Sequence, residues 1–299
     1  MAVYKKTYRR YQGPLSPAWS QFLVLPRYAL QEMRQSRFLS RFFLAGFLGP
    51  LICALFIYLH YNLGALKLLN ISAAQLPGIN ARFFLGFLGF QSMLAFFLTA
   101  FVGPGLVSPD LANNALPLYL SRPFSRWEYV LGKMSVLLLL LSLLTWAPGL
   151  LLFALQGYLV GGGWAVENLG LASALFWGSW VWILLLSFLA PAISAWVKWK
   201  PAAGALFFGF FFVAAGFGAA INEVLRTHWG NLINVSHLIG SIWAWLFQQP
   251  LRRGSGAVFF RIGRGEQMPI WCCWAAVAGI CLFCLYLLAR KIRGAEVVR

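Results

Sequence analysis

Residues 83–107 read FFLGFLGFQSMLAFFLTAFVGPGLV, and residues 108–134 continue SPDLANNALPLYLSRPFSRWEYVLGKM. The first segment has 25 residues without one charge. A bilayer crossing needs about 20 apolar residues. A charge at the bilayer centre costs about 2.5–3.5 kcal/mol even on the mildest insertion scale. The uncharged run therefore reads as a transmembrane helix. The segment after it is of another kind: it holds arginines, prolines, asparagines and acids, yet returns every few residues to Leu, Tyr, Phe or Trp. It reads as a structured connection between two spans.

Outward from this pair, five further apolar runs have spanning length: Phe42–Leu59, Met134–Val160, Leu169–Val197, Ala202–Ile221 and Pro269–Ala289. The whole chain agrees. Of its 299 residues, 61% are hydrophobic and 10% charged, against roughly 25% charged in soluble domains. The expected fold is an all-α polytopic membrane protein: residues 42–289 form a six-span domain, flanked by basic segments 1–41 and 290–299.

The formal net charge is +17, from 24 Lys and Arg against 7 Asp and Glu. Nucleic-acid binding would gather such charge on a polar soluble surface; here it sits at the ends of apolar runs, so no nucleic-acid partner is expected. One side of the six-span arrangement collects the basic residues of 1–41, of the second and fourth connections and of the tail, 17 in all. The other side collects Lys67, Arg82, Arg226, Arg252, Arg253, Arg261 and Arg264. The positive-inside rule then puts both termini in the cytoplasm, and the expected location is the plasma (inner) membrane.

Two shorter apolar segments lie outside the spans. Ser16–Ser40 interleaves Trp19, Phe22, Leu30 and Phe38 with Arg27, Arg34 and Arg37, the pattern of a helix lying in the interface. Leu232–Phe247, within the outer loop 222–268, is too short to span and reads as re-entrant or interfacial, with Trp243 and Trp245 at headgroup level. Gly161-Gly162-Gly163 reads as a tight turn between spans three and four, and Pro148 and Pro191 as kinks. No secretory signal peptide is expected at the start of the chain.

In the connection 108–129, Ser108-Pro109-Asp110 has the form of a helix start, with a hydroxyl N-cap, proline at the first helical position and an acid in the first turn. Ser125-Arg126-Trp127-Glu128 has the form of a capping box, and Phe124 with Tyr129 of its hydrophobic staple. The reading is a short helix, a proline-limited turn and the launch of span three. Apolar Leu111, Leu116, Leu118 and Tyr119 lie beside polar Asp110, Asn113, Asn114 and Arg122. That mixture suits either a groove on a cytoplasmic partner or a seat on the membrane surface.

The residues Ser108, Asp110, the string Ala115-Leu116-Pro117-Leu118-Tyr119-Leu120-Ser121-Arg122-Pro123, Ser125-Arg126 and Glu128-Tyr129-Val130-Leu131-Gly132-Lys133 resemble the permease subunits of ABC-2 type transporters. The layout of six spans behind an interfacial helix is similar to theirs too. The resemblance implies that 108–128 is a coupling helix meeting a separate cytoplasmic ABC ATPase, two copies per complex. Its contacts would be Asp110, Leu111, Asn113, Asn114, Leu118, Tyr119, Arg122, Arg126 and Glu128. It further implies export through a pathway completed by a second permease copy or a related subunit, among membrane lipid. The alternative is a membrane anchor that docks a cytoplasmic partner without transport.

No enzyme chemistry is expected. Gly132-Lys133-Met134-Ser135 is superficially close to a phosphate-binding loop, but Trp127 stands where the first glycine belongs and Met134 where Ser or Thr would bind magnesium. His60, His228 and His237 are too scattered for a metal site, and Cys281 and Cys284 read as small apolar residues of a helix. No cofactor is expected. The spans contain no buried acid, which weighs against a proton-coupled carrier.

Overall fold

The computed structural model describes residues 24–62, 77–113, 126–249 and 268–294. Those residues form helices and short turns, with no strand among them. In chain order the helices are α1 (Val24–Gln35), α2 (Arg37–Ala45), α3 (Leu48–Tyr61), α4 (Ala81–Val102), α5 (Pro104–Ala112) and α6 (Arg126–Leu144). Then follow α7 (Trp146–Val160), α8 (Gly162–Glu167), α9 (Leu169–Trp196), α10 (Lys200–Leu225), a 3₁₀ turn (Trp229–Leu232), α11 (Val235–Leu246) and α12 (Ile270–Gly294).

Six helical segments are long and apolar enough to cross a membrane: Arg37–Tyr61, Ala81–Asp110, Glu128–Val160, Leu169–Trp196, Lys200–Leu225 and Ile270–Lys291. They match the six expected runs and overrun most of them at the ends. Three are composite, each with a local cause. The first is interrupted at Gly46–Phe47, where the Gly46 carbonyl accepts instead from the Gln91 amide at 3.1 Å. The second is interrupted at Gly103, between α4 and α5. The third breaks at Thr145, three residues before Pro148, which has no N–H to give the Leu144 carbonyl. The expected kink at Pro148 takes the form of this interruption. The turn after α7 uses Gly161 at φ 114°; Gly162 and Gly163 already belong to α8.

The bundle is organised around α9, which packs against α4, α5, α6, α7, α10, α11 and α12. It is apolar on nearly all sides, as a central membrane helix has to be. Phe96 of α4 meets Phe207, Phe208 and Phe211 of α10 at centroid distances of 4.9–5.3 Å. Trp182 of α9 bridges Phe211 and Trp243, and its indole N–H donates to the Ser92 carbonyl at 3.1 Å. In contrast, α3 leaves Leu48, Leu51, Ile52 and Leu55 bare, as a helix against lipid would.

Three expectations are corrected here. The interfacial segment before span one is shorter than 16–40: α1 ends at Gln35, Ser36 caps a new helix by accepting from the Leu39 N–H, and Phe38 already belongs to α2. Residues 16–23 lie outside the described residues. Trp243 does not face out of the bundle. It is 1% exposed, and its indole N–H donates to the Gly178 carbonyl at 2.9 Å. Helix α11 enters the bundle between α9, α10 and α12; of the expected pair only Trp245 faces outward. Because the Gly178 carbonyl belongs to helix backbone, Trp243→Phe forfeits one hydrogen bond without opening a large cavity. Its expected cost is about 1 kcal/mol, measured as a modest drop in the melting temperature of the detergent-solubilised protein. The third correction concerns residues 108–110.

Candidate functional site: the elbow between the second and third spans

Ser108, Pro109 and Asp110 do not start a helix. They lie in α5, which begins at Pro104 and runs to Ala112. The same three residue types serve both positions, since proline is tolerated in a first turn and also where its missing N–H is tolerated by the surroundings. What decides is Ser194 of α9. Its hydroxyl accepts from the Ser108 N–H at 2.8 Å and donates to the Pro104 carbonyl at 3.0 Å. Ser108 N–H and Pro104 C=O would be direct partners in an ideal helix. A neighbouring side chain has been inserted into that rung, a recognised cause of helix bending.

The Ser108 hydroxyl, read from sequence as an N-cap, faces the Val197 and Lys198 carbonyls at 2.7 and 2.6 Å. The Val197 carbonyl is that of the C-cap of α9, among the helix-end carbonyls without a helical partner, and Lys198 is the next residue. Serine 108 therefore bolts the second span to the end of the fourth. Gly103 completes the junction: a Cβ there would lie 2.5 Å from the Ala190 Cβ and 2.7 Å from the Thr99 carbonyl oxygen.

Asp110 is the second fastening. Its Oδ2 accepts from the Tyr129 hydroxyl at 2.7 Å and pairs with Lys133 Nζ at 2.8 Å. The Asp110 and Lys133 side chains are 15% and 13% exposed, and Tyr129 is 1% exposed. This is a sheltered, charge-assisted cluster. It joins the end of α5 to the first two turns of α6, which begins at Arg126.

The expected contact residues therefore separate. Asp110 points inward as a tie. Asn113 is exposed at the end of α5, and Glu128 is half-buried in the first turn of α6. The backbones of Leu111 and Arg126 belong to α5 and α6; their side chains, and Asn114, Leu118, Tyr119 and Arg122 entirely, lie outside the described residues. So do Ser125 and Phe124 of the capping box and staple. The expectation that Asp110 offers an exposed polar contact is corrected by its burial against Tyr129 and Lys133.

Several segments assigned by charge to one side of the membrane meet at one end of the bundle. Helix α5 touches 197–198 through Ser108 and Lys133 through Asp110. Lys291 of α12 lies 5.0 Å from the Trp196 ring centre, a cation–π contact, and α1 packs on α6. At another part of the bundle Asn222 holds the 3₁₀ turn, accepting from the Gly230 N–H and donating to Asn231, both at 2.8 Å. Asn234 caps α11 by accepting from the His237 N–H at 3.2 Å.

Sequence reading missed Ser194, Tyr129 and Lys133 as partners of the elbow. A weak signal existed for Ser194, a hydroxyl three residues after Pro191 near the end of an apolar run. Lys133 was visible as a basic residue, as the end of the Glu128–Lys133 string and as part of a false phosphate-loop string, none of which names Asp110 as its partner. Neither a protein-family model nor a curated protein matches the chain.

Proposed function

We propose that the chain is the membrane-embedded permease subunit of an ABC-2 type exporter, moved by a separate cytoplasmic ATPase that docks on residues 108–128. The observation that carries this reading is the double fastening of the elbow. Ser108 binds the end of α9 and Asp110 binds the start of α6, so force applied at Asn113 reaches the second, third and fourth spans together. A connection serving only to join two spans has no need of a sheltered ion pair and an inserted hydroxyl.

In this reading both termini are cytoplasmic and the chain sits in the plasma (inner) membrane. A second permease copy completes the pathway, and two ATPases drive the cycle. Nucleotide-driven closure of the ATPases pushes on the elbow, and the three fastened spans tilt as a unit. The cargo enters through a surface without buried acids in the spans, which favours an amphipathic or apolar molecule. ATP hydrolysis belongs to the partner, because this chain carries no phosphate-binding loop in its sequence.

The test is co-purification. The wild-type chain is expected to retain an ATPase subunit from native membranes and to alter its hydrolysis rate. Asn113→Trp, at an exposed helix end where it disturbs no described packing, is expected to lower that association about tenfold or more while leaving the melting temperature unchanged; loss of an interface anchor commonly has this size. An ATPase retained equally by the variant, or a retained partner without nucleotide-binding activity, sinks the assignment.

A further inference from the structure

On the flank of the elbow lies an open groove of about 340 Å³, lined by Phe101, Pro104, Gly204, Ala205 and Phe208 with Lys200 at its mouth. That volume falls at the lower end of the roughly 300–1,000 Å³ of small-molecule clefts. The walls are mostly carbon, from α4, α5 and α10. Pro104 begins α5, just after the interruption of the second span at Gly103. Gly204 lacks a side chain on the facing turn of α10, and a Cβ there would only just touch Pro104. The interruption and the glycine together make the concavity.

The mouth has one polar group. Lys200 is the first residue of α10, just after the turn that joins it to the end of α9 at Trp196; an end shared by two membrane-length helices is where lipid headgroups are expected. The Lys200 Nζ lies over Gly105, 3.2 Å from where a Cβ would stand, directly above the groove. Lys200 is exposed. Among the described residues Lys133 pairs with Asp110, and no acid is paired with Lys200. Trp199 beside it is 70% exposed, as an interfacial tryptophan is at headgroup depth.

We propose that this groove seats one anionic phospholipid, its phosphate on Lys200 and the upper part of an acyl chain against Phe101, Pro104, Ala205 and Phe208. A cation over an apolar trough at the membrane boundary complements a lipid in both parts. A soluble anion would use Lys200 and leave the trough empty; a neutral lipid would fill the trough and leave Lys200 without a counter-charge. The seat touches Pro104, whose carbonyl is held by Ser194, so the bound lipid braces the second span at its interruption. The proposal rests on the reading of the chain as a membrane protein and not on an ATPase partner, so it is tested on the permease alone.

The full-length chain is placed in nanodiscs of phosphatidylcholine and phosphatidylglycerol in equal parts, released into detergent, and its retained lipid is identified by native mass spectrometry. The wild type is expected to keep phosphatidylglycerol in preference to phosphatidylcholine. Lys200→Gln is expected to lower that retention about tenfold, the size of one lost charge-assisted contact, whereas Lys198→Gln, two residues away, keeps it. Ala205→Trp, which fills the trough from an exposed position, is expected to lower retention with Lys200 intact. Equal retention by Lys200→Gln and wild type overturns the proposal. So does equal loss in Lys198→Gln and Lys200→Gln, which is diffuse surface charge. So does displacement of the lipid by inorganic phosphate alone, which makes Lys200 an ion site without a chain seat.

Discussion

Asp110→Ala is expected to destabilise the protein by about 3–5 kcal/mol, the range for removing one partner of a sheltered ion pair. The variant leaves the Lys133 ammonium without its carboxylate and the Tyr129 hydroxyl without its acceptor, in a place with little water to replace them. The cost is dominated by the stranded charge rather than by the lost attraction. Two companion variants separate these. Lys133→Met in the Asp110→Ala background removes the stranded charge and is expected to recover most of the loss in melting temperature. Asp110→Asn keeps an acceptor for Tyr129 and is expected to fall between Asp110→Ala and wild type. If the double variant melts no higher than Asp110→Ala, the pair is not the fastening described here.

The second large effect is expected at Gly103. A Leu there has no cavity to enter: its Cβ would meet the Ala190 side chain at 2.5 Å and the backbone oxygen of Thr99 at 2.7 Å. Neither neighbour is the far end of a flexible side chain, so relief requires the second and fourth spans to separate. Overpacking of this kind costs about 3 kcal/mol. It would also lengthen the contacts through which Ser194 holds Pro104 and Ser108. Gly103→Leu is therefore expected to lower both the melting temperature and any ATPase stimulation. Gly209→Leu on α10, where a Cβ meets open space, is the control expected to leave both near wild type. A Gly103→Leu protein that melts with wild type contradicts the close approach of the two spans.

The spans themselves are legible in the sequence because the physics is one-sided: an uncharged run of this length has few places to go but hydrocarbon or a core of similar depth. The six expected runs and the six membrane-length helices coincide for that reason. The interruptions were only partly legible. Pro148 announces one, but the break falls at Thr145, where the absent N–H is felt. At Gly46–Phe47 the local signal is Pro50, which has no N–H for the Gly46 carbonyl; that Gln91, 45 residues away in sequence, takes this carbonyl is not a local fact.

The elbow shows most clearly where local reading ends. Ser108-Pro109-Asp110 satisfies the local rules for a helix start, and those rules say nothing about Ser194, 86 residues on, which takes the Ser108 N–H. Asp110 satisfies the rule for an acid in a first turn, yet its carboxylate serves Tyr129 and Lys133 in the following helix. Trp243 follows the tendency of tryptophan to lie at the interface, but its helix dips inward and its indole finds a backbone carbonyl there. In all three cases the local rule was satisfied by the residue type. The partner was a tertiary fact.

If the chain works as we propose, a nucleotide-driven partner grips it at the exposed end of α5. The most direct measurement is site-specific photo-cross-linking from Asn113 in native membranes, with the captured protein identified by mass spectrometry. The account predicts a single dominant adduct with a nucleotide-binding ATPase subunit, strengthened or weakened by ATP. Adducts with lipid alone, or reaction of position 113 with a membrane-impermeant reagent added from outside the cell, would contradict it.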